Sequence, residues 1–162
     1  MDQQEFERCL VEISGTPARI EAQARLLPAD AWETVIHGGE GGWNRRQMLA
    51  HIVTIDKRHA MRVRISAGLP DPSGVTDQSA LPPINDWNER QVDARAGSSV
   101  ADLLAEMRRN RNDLITLFRT LTPEQRDRIH INRAGLPPLP FAEWLLPVVH
   151  QHAIDHMREV VG

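Results

Sequence analysis

Seven histidines occur in this 162-residue chain, and His152 and His156 are set four residues apart in the stretch HAIDHMREVV. In a helix that spacing places side chains on adjacent turns of one face, where two imidazoles can converge on one ion at about 2.0–2.1 Å from each nitrogen. At about 100° per residue, His152 falls about 20° to one side of Leu145 and His156 about 20° to the other, so both follow the apolar side that Leu145, Val148 and Val149 mark. His51 lies within about 60° of Met48 on the inner side of another predicted helix, from which a third imidazole can reach across. Three neutral nitrogens with coordination positions left open suit a divalent ion that polarises a carbonyl or lowers the pKa of bound water or thiol. Histidines at this spacing also arise as hydrogen-bonded core residues. A shared cation is favoured because several imidazoles facing one apolar interior all need partners there. Since the ligand is the neutral ring, occupancy should fall as the pH drops to and below about 6.5.

The other ionisable residues fit this centre less well. His150 is about 200° round the helix from His152 and belongs at the surface or against another helix. His59, offset from His51 by about 80°, is a reserve ligand at most. His37 and His130 fall in predicted loops. Asp56, Asp155 and Glu159 are the carboxylates nearest in sequence to the three histidines, and each reads as a solvated helix charge. Cys9 is the sole cysteine, which excludes an internal disulfide and a zinc site built on thiolates.

Helices must carry these residues. Phe6, Leu10, Ile13, Pro17, Ile20, Ala24 and Leu27 recur in steps of four and three, predicting a helix over about 2–27 with a kink or break at Gly15, Thr16 and Pro17. After the glycine-rich HGGEGG, Asn44 and Gln47 form a start signal for a second helix whose inner side carries Met48, Leu49, Ile52 and Ile55 and which ends by about 67, before Gly68 and Pro70. Residues 69–83 read as a long surface loop. A short helix over about 86–96, capped by Asn85, precedes a longer one from Ser98 or Ser99 to Leu121. Thr122, Pro123 and Gln125 start another short helix. RAGLPPLP reads as a connector to a last helix from Phe141 to Val161, bent by Pro147 near Glu143. No alternation with a period of two indicates a strand. The fold expected is all-α, a single domain over 1–162, built as a four-helix bundle with crossover connections and short extra helices.

Composition bounds the rest. A chain of this length, 41% hydrophobic and 25% charged, can bury a continuous core. Its net charge of −3 supplies no basic field for nucleic acid or an anionic membrane surface. No apolar run reaches the roughly 18 residues of a membrane span, and the acidic start MDQQEFERCLVE is unlike a secretory signal, so a cytoplasmic location is expected.

Two segments carry a family resemblance. WNRRQMLAH, with Trp43 after the glycine-rich turn and His51 eight residues on, resembles the W-[ST]-x-x-[EQ]-L-x-x-H element of the DinB-like superfamily. HAIDHMREV resembles that family's closing H-x-x-x-H, and the order of one histidine on helix two and two on the last helix agrees. Asn44 replaces the commoner Ser or Thr, a change between capping residues. The resemblance implies that His51, His152 and His156 are the metal ligands, that zinc or nickel is the occupant, and that the chain forms a homodimer. It also points to a thiol S-transferase using a low-molecular-weight thiol cofactor on an electrophilic small-molecule substrate. A metal-dependent hydrolase is the alternative, beside a non-catalytic protein with a structural metal or a stress-related partner.

Overall fold

The computed structural model describes residues 1–36, 42–133 and 136–162; His37 and most of HGGEGG lie outside them. Helix α1 (Gln3–Ala24) starts at Asp2, whose side chain accepts from the Glu5 amide. It ends three residues earlier than the periodicity suggests, in a turn ahead of Pro28. Helix α2 (Arg45–Ser66) opens on a reciprocal capping box, with the Gln47 amide donating to Asn44 and the Asn44 amide to the Gln47 side chain. Helix α3 (Ile84–Asp93) begins after Pro83 without a side-chain cap, so Asn85 lies inside it and is not its cap. Helix α4 (Val100–Thr120) is capped by Ser99, and α5 (Pro123–Arg128) by the Thr122/Gln125 box. Short 3₁₀ turns occupy Ala29–Glu33 and Gln78–Ala80, the second inside the predicted 69–83 loop.

The connector is a correction. Strands β1 (His130–Arg133) and β2 (Leu136–Pro140) pair antiparallel, with Ile131 opposite Leu139 and an irregularity before Arg133. Three prolines in β2 remove amide donors and mask the strand signal in the sequence. A two-stranded ribbon is marginal by itself; this one is held by Ile131, which is buried with Phe118 and Phe141. His130 therefore lies in a strand, exposed, with Nδ1 at 3.1 Å from the Arg128 carbonyl.

The last helix is continuous but not uniform. It runs as α6 (Phe141–Trp144), a π-helical stretch (Leu145–Gln151) and α7 (His152–Val161). Pro147 has no amide to give the Glu143 carbonyl, and its ring crowds that turn. The chain answers by widening, so that the His152 amide donates to the Pro147 carbonyl, five residues back.

Pro17 has a different outcome, because α1 passes through it without a break. The carbonyl that Pro17 deprives of its helical donor is that of Ile13. Arg111 Nη1 of α4 donates to it at 3.3 Å, so a side chain replaces the missing backbone bond.

Each of α1 and α2 packs against α4 and the last helix, which makes α1 and α2 diagonal partners in the bundle. One apolar cluster gathers Ile20, Trp43, Leu49, Leu103, Met107 and Met157. A second gathers Phe6, Leu10, Leu114, Phe118, Trp144 and Val149 at the other end. Between them α1, α2, α4 and the last helix each contribute buried polar residues: Thr16, Asp56, His59, Asn110, Arg111 and His150.

Candidate metal centre

The N-terminal capping box of α2 and the end of α7 are tied together by Arg45, whose Nε donates to the Val160 carbonyl at 2.6 Å. His51 follows Arg45 by six residues and His156 precedes Val160 by four, so antiparallel pairing of the two helices brings these histidines level. A short bridge between Val35 and Asn44, with the Ile36 amide donating to the Trp43 carbonyl, fixes the strand-like entry to α2. That entry sets the buried Trp43 ring 5.4 Å from the His51 ring, centroid to centroid.

His51, His152 and His156 converge. Each offers one ring nitrogen, and all three nitrogens lie within 4.8 Å of one another. The Nε2 atoms of His152 and His156 are 3.1 Å apart. Two nitrogens on one tetrahedral ion at about 2.0–2.1 Å are separated by roughly 3.3 Å, so little movement is needed to bring this pair to a cation. His51 meets the pair edge-on, with ring centroids 6.2 Å from His152 and 5.1 Å from His156. His51 is buried, and the two α7 histidines are half-buried.

Electrostatics favour a neutral ring at His51. Burial, and then the neighbouring His156 and His152, push His51 down to about 3, against the Asn88 side chain, which favours the protonated ring. Among the described residues His51 Nδ1 is buried without a hydrogen-bond partner. An orphaned nitrogen beside two convergent imidazoles fits a cation, which needs the lone pairs that a proton would block. His156 Nδ1 lies 3.2 Å from Glu159 Oε2, the partnership that orients a ligating ring and leaves Nε2 for a metal. No carboxylate or thiolate joins the three histidines among the described residues.

The other candidates are elsewhere. His150 is buried against α1, with Nδ1 2.7 Å from Thr16 Oγ1 and Nε2 3.4 Å from Arg19 Nη1, which agrees with its expected direction. His59 does not join the cluster among the described residues: it is buried, edge-on to Trp144 at 4.9 Å, and neither ring nitrogen has a hydrogen-bond partner among them. Asp155 is exposed, paired with Arg158 at 2.7 Å. Asp56 is a correction, because it is not a solvated charge. It is 1% exposed and takes a bidentate contact from Arg111, 2.7 Å from Nε and 3.0 Å from Nη2. Burial pushes its carboxyl up while the guanidinium pulls it back. Arg111 went unnoticed in the sequence, since an arginine in the run RRNRND carries no sign that it faces inward. Cys9 is buried in the second cluster, far in sequence and packing from the histidines, with its thiol pushed up by burial.

A search of curated protein sequences found no match. Among solved structures the chain is similar to YfiT from Bacillus subtilis, described as a probable metal-dependent hydrolase with an unusual four-helix bundle topology. The TM-score is 0.76 at 16% identity, over 99% of this chain and 86% of that one. At that identity the likeness establishes the four-helix fold and nothing of the reaction. The family model described as the DinB superfamily matches residues 12–160, which include the capping box of α2 and all three converging histidines, and the chain belongs to that superfamily.

Proposed function

We propose that the chain is a metal-dependent enzyme in which His51, His152 and His156 hold one divalent cation, zinc or nickel, with a low-molecular-weight thiol as co-substrate. The observation that carries this reading is three imidazole nitrogens within 4.8 Å of one another with no fourth protein ligand among the described residues. Structural zinc sites close with four protein ligands, whereas three leave room for an incoming molecule. A cation there supplies Lewis acidity, lowering the pKa of a thiol or water that reaches it. The chain's own residues do the remaining work. Trp43 and the apolar cluster keep the His51 side dry, Glu159 orients His156, and the half-buried His152 and His156 leave an approach from solvent.

Thiol transfer is preferred because, among the described residues, no carboxylate joins the cluster to act as a separate base, and a thiolate needs none once formed. The thiol has to come from solution, since Cys9 is buried in the other core cluster. The description of YfiT as a probable metal-dependent hydrolase favours water as the second reading.

Elemental analysis and cobalt substitution test both. Stoichiometric cobalt with a saturable thiolate-to-metal absorption on adding a small thiol supports transfer. A cobalt protein that ignores thiols but hydrolyses activated esters supports the hydrolase. A chain that binds none of zinc, nickel or cobalt removes the proposal. Homodimer formation belongs to the same reading, and light scattering that gives one 18.3 kDa species would count against it.

A further inference from the structure

Arg58 and Arg62 face the same way on α2 as His51. Seven and eleven residues on, they lie about 20° to either side of it, with Arg58 about 10 Å along the axis. Together with Gln78, Leu81, Ile84 and Asn132 they line a cavity of about 500 Å³, a volume typical of small-molecule sites. The two guanidiniums are one turn apart, where like charges repel. Among the described residues neither has an acidic partner. Arg58 is 7% exposed, with Nη2 donating to the Pro82 carbonyl at 2.7 Å and its carbon centre 5.5 Å over the Trp87 ring. Its Nη1 is buried with no hydrogen-bond partner among the described residues. Arg62 donates to the Asn132 carbonyl, which leaves its charge uncompensated.

A buried cation without a counter-ion is costly, and here the buried Arg58 and the half-buried Arg62 share one cavity wall. Burial, and then the charge of Arg58, push Arg62 down to about 10, still protonated at neutral pH. The fixed fork of a guanidinium matches the paired oxygens of a carboxylate or phosphate. The Asp56–Arg111 pair, its carboxylate two residues before Arg58 on α2, shows the same donor type satisfied by an oxyanion of the protein itself.

We propose that this cavity is an oxyanion subsite, taking the carboxylate or phosphate group of a small molecule between Arg58 and Arg62. Helix α3 links it to the histidines, because Ile84 lines the cavity and Asn88, one turn on, is a neighbour of His51. An anionic substrate held here by one end extends along α2 toward the histidine cluster. That last step rests on the metal reading above, whereas the anion site itself does not.

The test uses the full chain stripped of metal, titrated calorimetrically with inorganic phosphate and, in parallel, with succinate, in chloride buffer. Saturable binding is expected for at least one of them, weakened roughly tenfold or more in Arg62→Gln and in Arg58→Gln and unchanged in His51→Ala. Tighter phosphate identifies a phosphate monoester as the ligand class; tighter succinate identifies a carboxylic acid. Arg58 is buried, so circular dichroism checks its variant, and Arg62→Gln, at the cavity edge, carries the test if Arg58→Gln fails to fold. No saturable binding of either anion, or binding undiminished in Arg62→Gln, overturns the subsite. Loss of binding in His51→Ala would place the anion at the histidines and overturn it equally. Metal binding is measured separately, so failure of the metal reading leaves this result standing.

Discussion

Two polar groups sit inside this bundle within five residues of each other on α2, and they are built oppositely. Asp56 belongs to a layer that closes on itself: Arg111 grips it twice, donates to Thr16 Oγ1 at 3.1 Å and to the Ile13 carbonyl, and Thr16 meets His150. His51 belongs to a cluster that does not close, since three rings of one kind converge and His51 Nδ1 is left over. A closed buried network orders a core, while convergent lone pairs with nothing between them invite a ligand. The first joins α1, α2, α4 and the last helix; the second, among the described residues, joins α2 and α7.

The largest effect expected from breaking this contrast is on the closed layer. Arg111→Met strands the Asp56 carboxylate between two apolar clusters and should cost about 3–5 kcal/mol of unfolding free energy, measured by urea denaturation. Adding Asp56→Leu to that variant should recover much of the loss, because an apolar pair replaces an orphaned charge. If Arg111→Met is neutral, the layer is not the fastening described here.

The open cluster should respond the other way. His51→Ala, His152→Ala or His156→Ala should each weaken divalent-metal affinity on the order of a hundredfold or more while preserving the helical spectrum. His150→Ala is the control: it should keep the metal and lose stability of about 1–2 kcal/mol, since Thr16 and its neighbours lose a buried partner. A competition titration with a chromophoric chelator reads the first effect and urea denaturation the second. Metal lost with His150 but retained without His152 would reverse the assignment.

How much of this contrast could be read in the sequence differs between its halves. The i, i+4 pair and His51 were legible because helical spacing and the two family-like segments both survive any detail of packing. The angular argument that tied His152 and His156 to Leu145 did not survive, since the π-helical stretch between them changes the turn. Their pairing held because both fall within α7, beyond the widened turn. Asp56 and Arg111 were illegible, being 55 residues apart on different helices and each resembling a surface charge. Pro17 was legible as a defect but not its remedy, which lies in a side chain of α4. The hairpin was hidden by its own prolines.

A smaller effect concerns pH in the metal-free protein. The unfolded chain protonates its histidines near 6.5, whereas the fold holds His51 down to about 3 and His59 well below its ordinary value, in both cases chiefly by burial. His59 is pressed further by Arg111 and Arg62, and then by His152 and His51. Unfolding therefore takes up protons below about pH 6.5. Stability is full above that value and falls as the pH drops, by about 1.4 kcal/mol per pH unit for each such histidine, continuing toward about pH 3 for His51. A His59→Leu variant, denatured in urea across pH 7 to 4, should show a shallower fall than the parent. An equal slope would mean that His59 is not held neutral.

The smallest expected effect lies at the edge of the open cluster. Glu159 is 40% exposed and one turn beyond His156, 3.2 Å from its Nδ1. A carboxylate in that position fixes which ring nitrogen carries the proton and raises the basicity of the other. Because water also reaches it, the contact is weaker than a buried one, and Glu159→Gln should lower metal affinity by about tenfold, the low end for such partners. The glutamine amide can still meet the ring, but without the negative charge that strengthens Nε2 as a donor. The same substitution should leave urea stability of the metal-free protein within about 0.5 kcal/mol, as expected for an exposed helix position. That pairing of outcomes separates a residue acting through His156 from one that merely solvates α7. An unchanged metal affinity in Glu159→Gln would confine the centre to the three histidines and return Glu159 to the surface.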